Sequence, residues 1–332
     1  MKKVVWGVLG TARIAREKVI PAMLKSQACE VRAIASRSLD AARAAAAALN
    51  IRDAHGSYEA LLADPEIEAV YNPLPNHLHV PLTLKAAAAG KHVLCEKPIA
   101  LTAQEARELS AVRGQLLVAE AFMVRFHPQW LRLRELIRRG ALGTPRAVQV
   151  FFAYTNLDEH NIRNRADIGG GGLYDIGCYA VVAGRYVFQA EARRAAALFD
   201  RDPHFGTDRT TSGLVDFGGG RHLTFTVSTQ CVPYQRVQVC GTEGRVELQI
   251  PFNAPADGET RLLFDDGSAL DGSAIRTETL PACDQYTLQA EAFSRAIRGE
   301  IALPYGVEDA LRNMRILDAL FRSETSGRLE EV

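Results

Sequence analysis

Val4-Val5-Trp6-Gly7-Val8-Leu9-Gly10-Thr11-Ala12-Arg13-Ile14-Ala15 opens the chain with a short apolar run that ends in a turn of small residues. The run reads as one strand. Gly10, Ala12 and Ala15 fall on the three glycine positions of a dinucleotide-binding turn, with Ala at the second and third. Small residues there let a pyrophosphate approach the backbone and rest on the positive end of the following helix. A tight strand-to-helix turn uses the same residues for purely structural reasons, so position has to decide. This turn opens the first strand–helix unit of the chain, and the second strand ends roughly 20 residues or more later, as such a turn expects. Gly10, Thr11, Ala12, Arg13 and Ile14 are therefore the first candidate cofactor contacts.

From residue 3 to about residue 120 short apolar runs alternate with helical stretches, the pattern of βαβ units and a parallel sheet. The expected strands are Val4 to Leu9, Val31 to Ser36, Ala69 to Asn72, His92 to Glu96 and Leu116 to Glu120. Helices are expected at Asp40 to Leu49 with Ser38 as cap, at Tyr58 to Ala63, at Val80 to Ala89 closed by Gly90, and at Ala103 to Arg113 capped by Thr102. After Pro145 strand periods take over, at Arg146 to Tyr154, Ser212 to Phe217, His222 to Thr229, Arg236 to Cys240 and Arg245 to Ile250. Residues 222–227 alternate polar with apolar, as a half-solvated antiparallel sheet requires. Helical patterns interrupt at Gly172 to Phe188 and close the chain at Tyr286 to Arg298 and Val307 to Phe321. The reading is α/β: a dinucleotide-binding domain over residues 1–122, then a substrate-binding α/β domain over 123–332, with the C-terminal helix free to return to the first.

The second strand ends in Ala35-Ser36-Arg37-Ser38, without an acid to bind a ribose 2′-hydroxyl. A hydroxyl and a guanidinium suit a 2′-phosphate instead, which favours NADP over NAD; the competing reading of Arg37 is a solvated surface arginine. The next strands run into Asn72-Pro73-Leu74-Pro75-Asn76-His77-Leu78-His79 and Cys95-Glu96-Lys97-Pro98. In an open parallel sheet, ligands lie beyond the carboxyl ends of the strands, which places Leu74, Asn76, His79, Glu96 and Lys97 on the cofactor side. A lysine partly desolvated there can serve in proton transfer. Further on, Asp175 and Tyr179 stand four residues apart and share a helix face, so one face can present a carboxylate and a phenol.

Glu96-Lys97-Pro98, preceded by Asn76-His77-Leu78-His79 and followed by Glu120-Ala121-Phe122-Met123-Val124-Arg125-Phe126-His127-Pro128, resembles the glucose-fructose oxidoreductase/inositol dehydrogenase/rhizopine-catabolism family. Gly169-Gly170-Gly171-Gly172-Leu173-Tyr174-Asp175-Ile176-Gly177-Cys178-Tyr179 resembles that family's second signature. The resemblance covers residue 4 to about residue 190. It implies a Rossmann domain followed by an α/β domain whose open, mostly antiparallel sheet forms the interface of a homodimer or homotetramer. It also implies a cis Lys97–Pro98 bond, Lys97 beside the nicotinamide, and a polar site completed by Asp175 and Tyr179. Many members have His where this chain has Tyr179. The tyrosine version resembles the branch with NADP-dependent xylose dehydrogenase and dimeric dihydrodiol dehydrogenase. The activity implied is hydride transfer between a nicotinamide cofactor and a sugar, polyol or cyclic diol.

Other classes fit less well. Lys plus Arg and Asp plus Glu number 39 each, so no basic field exists to hold nucleic acid or an anionic membrane surface. No apolar stretch approaches the roughly 20 residues of a membrane span, and Val4 to Leu9 is too brief for a signal peptide; the expected location is the cytosol. Six scattered cysteines without a C-x-x-C pair read as reduced, buried thiols. His77 and His79 lack the further ligands of a metal site, and no metal is expected. Arg125, Arg163 and Arg165 could bind substrate, although solvated or structural arginines are commoner. Two rival readings stay open: a non-catalytic NADP- or sugar-binding sensor on the same fold, and a ketone reductase with a tightly held cofactor.

Overall fold

β1 (Val4–Leu9) lies inside an all-parallel sheet with β2 (Cys29–Ala35), β3 (Asp53–His55), β4 (Ala69–Asn72), β5 (His92–Cys95) and β6 (Val118–Glu120), in the order β3-β2-β1-β4-β5-β6. This computed structural model describes residues 2–112 and 116–332. The strand order reverses between β1 and β4, and the crevice outside their carboxyl ends is where a doubly wound sheet binds its ligand. Both faces of the central strands are covered. Trp6, Val8, Tyr71 and Val93 have no exposed surface, which is why these strands read as continuous apolar runs.

The connections carry α1 (Ile20–Lys25), α2 (Leu39–Leu49), α3 (Tyr58–Leu62), α4 (His79–Ala88) and α5 (Ala103–Glu108). Ser38 Oγ accepts from Ala41 N at 3.3 Å and Thr102 Oγ1 from Glu105 N at 3.1 Å, so both expected caps are formed. The expected helix end at Arg113 lies outside the described residues. A π-helical turn, Ala15–Val19, precedes α1.

Two compact units divide the chain: residues 1–123 with 284–311, and residues 124–283 with 312–332. Residues 123–332 were expected to form the second domain, with the C-terminal helix free to return to the first. Residues 284–311 group instead with the first unit, because Ala290 and Phe293 are buried in one cluster with Trp6, Cys29 and Val31. Trp6 Nε1 also donates to Ser294 Oγ at 3.2 Å.

In the second unit α6 (Pro128–Arg138), β7 (Pro145–Thr155) and α7 (Cys178–Phe188) come first, followed by β8 (Arg194–Arg201), β9 (Asp208–Asp216), β10 (His222–Ser228), β11 (Gln230–Gly241), β12 (Arg245–Leu248), β13 (Thr260–Asp265) and β14 (Arg276–Leu280). α8 (Gln285–Ile297) belongs to the first unit; α9 (Val307–Ser326) crosses the division, and β15 (Glu330–Glu331) ends the chain. Among the described residues nine strands pair in the order β14-β13-β12-β11-β7-β10-β9-β8-β15. Only β7 with β10 is parallel. α7, buried at every position, packs on β7 and β10. The sheet is the mostly antiparallel one expected, with Leu223, Phe225 and Val227 turned inward from β10 and His222 and Thr224 outward.

β3, α6, β8, β13, β14 and β15 have no counterpart in the sequence reading. The run Ala195-Ala196-Ala197 suits a helix by propensity, and its strand form depends on pairing with β9. For α6 a signal was present: Pro128 at the first helical position, then Trp130, Leu133 and Leu136 at helical spacing. All six cysteines are free thiols, but Cys231 and Cys240 are exposed rather than buried. No helix among the described residues is long and apolar enough to cross a membrane.

Candidate active site

The first unit's candidates line one edge of its sheet, each just past the carboxyl end of a strand. At the end of β1, Gly10 has φ +95°, and a Cβ there would lie 2.7 Å from Leu74 Cδ2, so only glycine fits the turn. Its N–H donates to Ala35 O at 2.7 Å, tying the turn to the end of β2. Thr11 and Ala12 are half-buried, Thr11 O accepts from Arg16 Nε at 3.0 Å, and Ile14 packs on the core. Arg13 is exposed and pairs with Glu17 at 2.8 Å.

Past β2, Ser36 is half-buried and its hydroxyl accepts from Ser38 N at 3.3 Å. Arg37 is exposed and makes no ion pair among the described residues. Tyr58, which the sequence reading did not single out, brings its hydroxyl within 3.9 Å of the Cβ position at Gly10. Burial raises the Tyr58 pKa, and the Arg37 charge opposes that rise.

Past β4 and β5, the loops are stitched by side chains buried beneath them. Asn72 Oδ1 accepts from Leu74 N at 3.3 Å, and its Nδ2 donates to His79 O at 3.2 Å. Asn76 begins a short 3₁₀ turn and is half-buried. His79 is 1% exposed, so its ring presents no surface to a cofactor. Glu96 accepts from Tyr71 OH on Oε1 at 2.6 Å and from Lys97 N on Oε2 at 3.3 Å, which turns its carboxylate inward. Burial, then the Glu96 charge, hold the Tyr71 phenol well above its ordinary pKa, so it stays a donor. Lys97 is half-buried and precedes a cis bond to Pro98. Ile99 N donates to Glu120 Oε1 at 2.9 Å, fixing the backbone on the far side of Pro98.

In the second unit, Asp175 and Tyr179 stand on either side of a junction: Leu173–Gly177 is a π-helical turn and α7 begins at Cys178. Such π-turns recur at functional sites. Asp175 Oδ2 accepts from Tyr154 OH at 2.5 Å and Oδ1 faces Arg163 Nε at 3.0 Å. Of the three arginines weighed as substrate contacts, Arg163 thus pairs with Asp175, Arg165 pairs with Asp167 at 2.7 Å, and Arg125 is 4% exposed. Tyr179 is 6% exposed, with Phe252 and Phe152 ring centroids at 5.3 and 5.9 Å.

Asp208 anchors the start of this segment and was invisible in the sequence. Its Oδ2 accepts from Leu173 N at 2.6 Å and from Thr211 Oγ1 at 2.7 Å. Gly171 has φ +119°, and a Cβ there would fall 2.0 Å from Asp208 Oδ1. The glycine run therefore admits a buried carboxylate under the turn that launches Asp175 and Tyr179. Lys97 belongs to the first unit; Asp175 and Tyr179 belong to the second.

Residues 4–116 match the oxidoreductase family with an NAD-binding Rossmann fold, and residues 130–247 match the GFO/IDH/MocA C-terminal domain. An uncharacterized oxidoreductase of Rhizobium meliloti is 48% identical over the whole of both chains. A D-xylose 1-dehydrogenase (NADP(+)) of Haloferax volcanii is 38% identical over 98% of this chain and 99% of its own. Among solved structures, a 3-ketoreductase from Actinomadura kijaniata in complex with NADP and TDP-benzene superposes with a TM-score of 0.90 at 29% identity, over 97% of this chain and 98% of that one.

Proposed function

Because this chain belongs to the GFO/IDH/MocA oxidoreductase family, we propose that it is a cytosolic, NADP-preferring dehydrogenase or reductase acting on a sugar, polyol or cyclic diol. The observation that carries the cofactor preference is the end of β2. Ser36 and Arg37 stand where an acid would take a ribose 2′-hydroxyl, and among the described residues no carboxylate pairs with the Arg37 guanidinium. The rest of the edge fits a dinucleotide, since the Gly10 turn has no room for a side chain. The backbone of Gly10, Thr11, Ala12, Arg13 and Ile14 would hold the pyrophosphate, Ser36 and Arg37 the 2′-phosphate, and Leu74, Asn76 and Lys97 the nicotinamide end. Glu96 and His79 would serve from beneath, one as a partner of Tyr71, the other between backbone carbonyls.

When bound, the nicotinamide supplies the hydride acceptor or donor. The protein's share is the proton. Tyr179 exchanges it with the substrate hydroxyl, and the Lys97 ammonium stabilises negative charge on oxygen as that proton leaves. Asp175, with both oxygens engaged, orients its neighbours instead of acting as the base. The xylose dehydrogenase relative makes pentoses the first substrates to try, and the ketoreductase likeness makes a keto sugar the test of the reverse direction. For assembly we propose a homodimer or homotetramer through the open face of the nine-stranded sheet, where Leu198 is 80% and Val232 78% exposed.

The test is a spectrophotometric screen of the purified chain with NADP or NAD against pentoses, hexoses and cyclic diols, and with NADPH against keto sugars. NADP-dependent turnover is expected, lost by orders of magnitude in K97M and in Y179F while circular dichroism stays native. Silence in both directions refutes the enzyme reading. Near-normal turnover in either variant removes that residue from the chemistry.

A further inference from the structure

His79 begins α4 with both ring nitrogens against backbone carbonyls: Nδ1 lies 2.6 Å from Pro98 O and Nε2 2.7 Å from Leu74 O. The two oxygens belong to the loops that leave adjacent strands, β4 and β5. Carbonyls only accept, and a neutral imidazole has one N–H and one lone pair, so only the imidazolium could donate to both. Burial drives the His79 pKa down to about 4, against the pull of the two carbonyls. Near neutral pH the ring therefore donates to one loop and presses its lone pair toward the other.

Each contact has a structural reach. Pro98 follows Lys97, whose own N–H is held by Glu96 Oε2 at 3.3 Å, and the next N–H, of Ile99, by Glu120 Oε1 at 2.9 Å. With its proton on Nδ1, His79 is the third pin on the backbone that carries Lys97. On its other side, Leu74 fills the space that a Gly10 side chain would need, 2.7 Å from that Cβ position. Asn72 holds Leu74 N and His79 O, which fixes the backbone on which the ring stands and the backbone of one of its partners. A lysine has a long, rotatable stem, so its ammonium can be placed only as well as the backbone beneath it is fixed.

We propose that His79 is a positioning residue, whose ring between Leu74 O and Pro98 O sets the Lys97 ammonium relative to the Gly10 turn without touching substrate or cofactor. The proposal rests on the reading of Lys97 as the group that stabilises the substrate oxygen. Mispositioning a catalytic group by about 1 Å costs on the order of 100-fold in rate.

Three variants test it. The amide nitrogen of an asparagine stands near the place of Nδ1 and can still donate to Pro98 O; that of a glutamine reaches the place of Nε2, toward Leu74 O. H79L should lose on the order of 100-fold in kcat, with NADPH affinity, titrated by fluorescence without sugar, falling far less. H79N should recover most of that loss and H79Q should not. If H79L does not fold, the contrast between H79N and H79Q carries the test. A second measurement needs no turnover: lysines are tagged with isotope-labelled methyl groups, the Lys97 signal is assigned by its loss in K97M, and its titration is followed by NMR. That titration should shift in H79Q and return in H79N. The proposal is overturned if H79L keeps its kcat, if H79N and H79Q fall equally in kcat and NADPH affinity together, or if the Lys97 titration is the same in all. Should the native chain turn over nothing, the functional reading fails by itself and the Lys97 titration alone decides on His79.

Discussion

Tyr154 donates its hydroxyl proton to Asp175 Oδ2 at 2.5 Å, and the phenol is held far above its ordinary pKa by burial first and by the Asp175 charge second. It is therefore a fixed donor across the working pH range. Y154F leaves that oxygen without its donor in a side chain only 13% exposed. A loss of about 1–3 kcal/mol is expected, seen as a lower urea midpoint with unchanged slope. An unmoved midpoint would mean that the bond does not form in solution.

How much of this could be read beforehand depended on whether a residue's role was local. β1 and β4 were legible to the residue because apolar runs bounded by charge or turn residues can only be buried strands. The Gly10 turn was legible because it sits in a motif, and motifs also singled out Lys97 and Tyr179, whose roles are proposals. Asp208 was not: between Thr207 and Arg209 it looks like part of a solvated turn, and only the folded chain brings Gly171 onto it. Arg163 was weighed and set aside, since nothing local ties it to Asp175, twelve residues on. The four-residue spacing of Asp175 and Tyr179 suggested one α-helical face; the π-turn Leu173–Gly177, which holds Asp175, is a departure that spacing does not encode.

Arg37 should decide between the two nicotinamide cofactors. Its guanidinium is exposed and makes no ion pair among the described residues, so its removal breaks no salt bridge. Hydrogen bonds to charged groups contribute about 1.5–3 kcal/mol, so R37A should lower kcat/KM for NADP by roughly 10- to 100-fold. The value for NAD should hold. Equal losses with both cofactors would show that Arg37 does not meet the 2′-phosphate.

Gly171 and Gly90 form a matched comparison. Both have positive φ, +119° and +76°, but a Cβ at Gly90 meets nothing within 4 Å whereas one at Gly171 collides with Asp208. G90A should cost about 1–2 kcal/mol, the penalty of a left-handed backbone alone. G171A should cost about 1–3 kcal/mol more and abolish turnover, because the displaced carboxylate releases Leu173 N. Similar melting temperatures for the two variants would contradict the packing described.

Asp208 gives the sharpest dependence on pH. In the folded chain burial raises its pKa to about 6, against the donors Thr211 and Leu173 and the charge of Arg201, from an ordinary value of 3.8. The Tyr154 phenol, from β7, is the other titratable group that feels its charge. Between those two values the folded state keeps a proton that the unfolded chain has released. Stability therefore falls as pH rises through that window and stays lower above it, by on the order of 3 kcal/mol. D208N carries no charge to bury, and its amide oxygen can still accept from Leu173 N and Thr211 Oγ1. Measured by urea midpoints from about pH 4 to about pH 8, D208N should gain on the native chain as pH rises and level off above the folded-state pKa. The carboxylates whose pKa values are depressed by ion pairs titrate alike in both proteins and cancel in the difference. Parallel stability curves would show that Asp208 does not change its protonation in this range.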